Sequence, residues 1–109
     1  MGADAFIAFY GLRYTLSDGE RDAVEQRTDH RVSAARRVKL QTYLGRLTDG
    51  EPHFLLVGTH LGVLGMENQS ANFVGGVELQ QIMRDTAAKL EEAGLSGAPG
   101  LYLQFEAQY

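Results

Sequence analysis

Three histidines, His30, His53 and His60, are the only imidazole donors for a transition metal, and the absence of cysteine removes thiolate ligands and cysteine nucleophiles. In a strand covering 53–60 the odd separation of His53 and His60 sends them to opposite faces, so no metal site and no cofactor is expected. Serines occur at 17, 33, 70 and 96, and none sits in a Gly-x-Ser-x-Gly elbow. Gly58, Gly62 and Gly65 do not match a dinucleotide fingerprint, and no Gly-Lys-Ser/Thr follows any glycine. Glu91 and Glu92 are adjacent carboxylates, but they fall on the outer side of a predicted helix rather than in a cleft. Asp29, His30 and Tyr43 have acid–base chemistry, yet nothing in their spacing gathers them. The expectation therefore leans away from an enzyme.

Binding chemistry is better represented. Arg27, Arg31, Arg36, Arg37, Lys39 and Arg46 stand against Asp29 alone over 27–46, a local excess of five positive charges. Arg31, Arg36, Arg37 and Lys39 form a candidate basic patch for phosphates or an acidic surface, with helix-dipole complementation as the simpler explanation. A dedicated nucleic-acid binder is disfavoured by the net charge of −4. The 66–76 loop (MENQSANFVGG) is dense in polar groups. Asn68, Gln69 and Asn72, with His60 from the preceding strand, are the candidate residues for a small-molecule site. Gly75-Gly76 offers backbone N–H groups to an anion, although a helix start accounts for them equally well. FIAFYGLR is loosely similar to the shorter motif of RNA-recognition domains, which stack bases on aromatics of two central strands. HFLLVGTH lacks the basic-Gly-aromatic-Gly-aromatic pattern of their second motif, so that reading is set aside and the aromatics are assigned to the core.

The elements that must position these groups follow from periodicity. Residues 5–16 (AFIAFYGLRYTL) are apolar on both faces at the start, as in a central strand. Ser17-Asp18-Gly19-Glu20 is a capping box opening a short helix over 18–27. Thr28-Asp29 is a second cap before HRVSAARRVK, leaving open one bent helix or two over 18–38. Residues 39–48 form a strand ending at the turn Asp49-Gly50-Glu51-Pro52, and 53–65 form one long strand or a hairpin bending near Gly58-Thr59-His60. Leu79, Ile82, Met83, Thr86, Ala87, Leu90 and Ala93 mark an amphipathic helix over 77–93, with Gly94 as its left-handed cap and Leu95 as the accompanying apolar contact. A final strand sets Leu101, Leu103, Phe105 and Ala107 toward the core and Tyr102, Gln104, Glu106 and Gln108 outward.

The β-α-β-β-α-β order implies a single α+β domain over 1–109: a two-layer, ferredoxin-like sandwich with helices on one face of a four- to five-stranded antiparallel sheet. Composition agrees, with 44% hydrophobic and 22% charged residues, too much apolar content for a disordered chain. The longest apolar run, Ala5–Tyr10, falls short of the ~18 residues of a membrane helix. The opening Met-Gly-Ala-Asp-Ala-Phe lacks the basic region of a signal peptide, giving a cytoplasmic expectation. The expected function is a small non-catalytic domain, adaptor- or inhibitor-like, that binds a protein partner or itself as a homodimer. Tyr102, Gln104 and Glu106 are its contact residues, and the last strand provides an edge open to strand addition. The alternatives are small-molecule binding or enzymatic work through the 66–76 loop, and nucleic-acid binding through 27–46.

Overall fold

A strand with apolar side chains on both faces needs cover on both. In the computed structural model, which describes residues 5–45, 53–65 and 74–106, residues 5–16 meet that need from inside the sheet. They form β1 (Ala5–Leu16), which lies between β3 (His53–Gly65) and β4 (Gly100–Glu106). β2 (Gln41–Gly45) completes the order β2-β3-β1-β4, and every neighbouring pair is antiparallel. Helices α1 (Asp18–Glu25) and α2 (His30–Arg37) join β1 to β2, and α3 (Gly76–Glu92) precedes β4. The element order is therefore β-α-α-β-β-α-β: the first crossover is two short helices, not one. Residues 53–65 form one strand, so the described residues make four strands and no extra hairpin. None of the described helices is long and apolar enough to cross a membrane.

The helix boundaries are set by local chemistry. Ser17 and Glu20 form a reciprocal capping box, Glu20 N–H donating to Ser17 Oγ at 3.2 Å and Ser17 N–H to Glu20 Oε1 at 3.0 Å. Asp29 caps α2 by accepting from Arg31 N–H at 2.8 Å. All three helices end the same way. Thr28, Leu40 and Leu95 each donate a backbone N–H to a carbonyl five residues back, on Ala23, Ala35 and Leu90. The residue before each donor is left-handed: Arg27 at φ 60°, Lys39 at φ 64° and Gly94 at φ 76°.

Two apolar layers flank the sheet. On the helix side Leu12, Leu16, Leu55 and Val57 pack with Val24, Ala35, Val38, Leu90 and Leu95, each fully buried leucine worth about 1.5–3 kcal/mol. Thr86 of α3 and Thr59 of β3 share a 2.6 Å hydroxyl hydrogen bond in this layer. On the outer side Phe9, Phe54 and Leu56 are buried, with Tyr43 and Tyr102 packed against them and the Arg13 guanidinium 4.4 Å from the Phe54 ring centre. Gly45 lies beneath that ring; a Cβ there would collide with it. In β3 the pairing shifts by one, with Ala8 opposite Gly62 and Phe9 opposite His60, so Leu61 is the additional residue of a β-bulge.

Candidate functional site

Among the described strands β4 is the last of the sheet, and its two faces are covered unequally. Tyr102 and Gln104, opposite Phe9 and Ile7 of β1, occupy the outer face and are half-buried, Tyr102 against the aromatic layer. Leu101 and Leu103, opposite Tyr10 and Ala8, occupy the helix side and are 56% and 68% exposed. This reverses the expected exposure of the strand. Among the described elements the cause is the position of α3, which packs across β1 and β3 rather than over β4. Val77 at the start of α3 and Phe6 in β1 are also exposed apolar residues. Glu106 pairs with Ala5 at the end of the strand. No Lys, Arg or Pro occurs between Gly100 and Glu106.

The basic residues divide into two groups. Arg31 leaves the proposed patch: it is 8% exposed, and its Nε and Nη2 join the starts of the two helices. Its Nε donates to Asp29 Oδ1 at 3.0 Å, and its Nη2 donates to Asp29 Oδ2 at 2.8 Å and Glu20 Oε2 at 2.9 Å. The guanidinium carbon lies 4.9 Å from the Tyr14 ring centre. Hydrogen bonds from Arg31 hold the Asp29 carboxyl below its ordinary pKa, against the effect of burial. Bonds from Ser17, backbone first, lower Glu20. Burial raises the Tyr14 phenol, with Arg31 opposing. Arg31 is a structural cation.

Arg36 and Lys39 are exposed and join Arg27 around a cleft of about 380 Å³, with the hydroxyl residues Ser33 and Thr42 also lining it. Among the described residues, no carboxylate lines the cleft and none of its three cations forms an ion pair. Arg37 is exposed but lies outside the cleft lining. The charge count over 27–46 located the basic segment. It missed Ser33, Thr42 and the separation of Arg31 from the rest, because both depend on where α1 and β2 lie.

His60 is exposed on the outer face beside a hollow of about 230 Å³ lined by Ile7, Phe9, Gln41, Thr42 and Tyr43, its ring centre 6.3 Å from that of Phe9. The Gln41 side chain accepts the His60 backbone N–H at 2.7 Å. Asn68, Gln69 and Asn72, expected beside His60, lie outside the described residues. His53 is opposite Leu16 on the helix side, so the two histidines take opposite faces. Among the described residues no cluster of three His, Asp or Glu side chains could hold a metal. Gly75 is the N-cap of α3 without a side-chain cap. The chain matches no protein family model, and neither a curated protein nor a solved structure resembles it at a significant level.

Proposed function

We propose that this protein is a non-catalytic, self-associating module in which β4 pairs antiparallel with β4 of a second copy. The carrying observation is the pair of exposed leucines, Leu101 and Leu103, on a strand at the sheet's end. Edge strands of monomers are ordinarily guarded by charge, proline or a covering element, and the Gly100–Glu106 edge carries no cation or proline. An apolar strip of this kind is favoured as a contact surface. A second copy fits because antiparallel addition of a strand to itself is two-fold symmetric and closes at the dimer, joining two four-stranded sheets into one. Pairing centred on Leu103 places Leu103 against its own counterpart. The strand order, with helices between β1 and β2 and between β3 and β4, supports reading each protomer as a ferredoxin-like sandwich whose first crossover is split in two.

Leu103→Lys is the sharpest probe. Its side chain is exposed, so the fold should change by no more than about 0.5 kcal/mol. Tyr102 is a poorer choice, because it also packs on the aromatic layer. Light scattering coupled to size exclusion should give twice the monomer mass for the wild-type chain and the monomer mass for Leu103→Lys, with unchanged circular dichroism. A wild-type chain that stays monomeric at high concentration overturns the reading, as does a folded Leu103→Lys variant that still dimerises.

A further inference from the structure

The geometry points to a phosphate-binding site in the cleft between the ends of α1 and α2 and the start of β2, separate from the β4 edge. Arg27, Arg36 and Lys39 converge on it from three positions of the chain, and Ser33 and Thr42 add hydroxyl donors. Cations at helix ends ordinarily complement the dipole, and two helices end here. Each end carries roughly half a negative charge, so three cations leave an excess of about two positive charges. That excess is the charge of a phosphate monoester. Among the described residues, no carboxylate in the lining competes for it.

The backbone supports the same assignment independently. Arg27 and Lys39 occupy the left-handed position that ends a helix, where glycine is the unstrained choice, and α3 uses Gly94 there. Both non-glycine cases in the described chain are cations, and both line this one cleft. The left-handed turns close the helix caps, and keeping a long cation there instead of glycine supports a role for the side chain that lines the cleft. The left-handed turn also sets the direction in which each long side chain leaves the helix end.

The cleft, about 380 Å³, exceeds the needs of a bare ion, and Val32 and Leu40 give it apolar wall. Those features fit a small organic phosphate. A nucleic-acid polymer would need a longer track of cations, whereas Arg31 is engaged with Asp29 and Glu20 and the chain carries net charge −4.

Amide-resolved NMR titration of the wild-type chain with inorganic phosphate and with ribose 5-phosphate, against sodium chloride at matched ionic strength, tests the site. Saturable shifts are expected at Ser33, Arg36, Lys39 and Thr42. Arg36→Gln and Lys39→Gly should each weaken binding about threefold to tenfold, while Arg37→Gln, outside the cleft, should leave it unchanged. Tighter binding of ribose 5-phosphate assigns the organic ester; equal binding assigns the inorganic ion. The proposal is overturned if phosphate does no more than chloride or if Arg37→Gln weakens binding as much as Arg36→Gln. Binding confined to a single-stranded oligonucleotide overturns it too. The β4 edge takes no part in these readouts.

Discussion

The two ends of α2 use positive charge in opposite ways. At its start Arg31 is buried, satisfied by two carboxylates and laid over Tyr14, tying the caps of α1 and α2 to β1. At its end Lys39 is exposed, has no acidic partner among the described residues, and holds a left-handed backbone that costs roughly 1–2 kcal/mol for a residue with a Cβ. The first arrangement stabilises the fold; the second detracts from it. Among the described basic residues of 27–46, Arg31 is thus taken up by the fold, Arg27, Arg36 and Lys39 line the cleft, and Arg37 lies outside it. What separates them is the placement of Glu20 and Asp29, not the charges themselves.

Arg31→Met gives the largest expected effect. Removing one member of a buried pair strands Asp29, and unfolding by denaturant should show a loss of about 3 kcal/mol. A loss below about 1 kcal/mol would put Arg31 with the surface cations. Next comes the pH dependence of the same pair. The folded-state pKa of Asp29 lies below its ordinary 3.8. Its contribution is therefore complete above the unfolded value and is lost as pH falls through and beneath it. Denaturation curves of the wild-type chain between neutral pH and about pH 3 should steepen below about pH 4. The Arg31→Met variant should lack that part of the decline. The smallest effect is at the other end. Lys39→Gly should gain about 0.5–1 kcal/mol, relief of the left-handed backbone being partly offset by the greater freedom of glycine in the unfolded chain. A destabilised Lys39→Gly would show that the lysine is held there by the fold, and would erase the contrast.

What the sequence disclosed was local. Ser17-x-x-Glu20, Asp29 and Gly94-Leu95 each specify a cap within a few residues, and each is where the pattern places it. Apolar residues on both faces at the start of 5–16 likewise point to an internal strand, and β1 lies between β3 and β4. The exposure of Leu101 and Leu103 was not legible, because strand periodicity gives two faces without saying which one a helix covers. The left-handed turns at Arg27 and Lys39 carry no glycine or asparagine to announce them. Their only trace is negative: two helices stop at 25 and 37 without the residue that usually allows it. The separation of Arg31 from the candidate patch depends in part on Glu20, eleven residues away and beyond any local motif.

The bulge at Leu61 makes β3 unequally tolerant of changes in chain length. Val57 and Thr59 face the helices before it, as their packing on Leu12 and Thr86 records, and Gly62, opposite Ala8, resumes that side after it. The strand thus already accommodates one inserted residue at a single place. Deleting Leu61 leaves a regular strand with every remaining side chain on its present face. Deleting Leu56 instead turns one segment of the strand over, sending apolar residues to the wrong layer. For loop grafting, library design or the natural gain and loss of codons, position 61 is the one point among the described residues of β3 where length and facing are uncoupled.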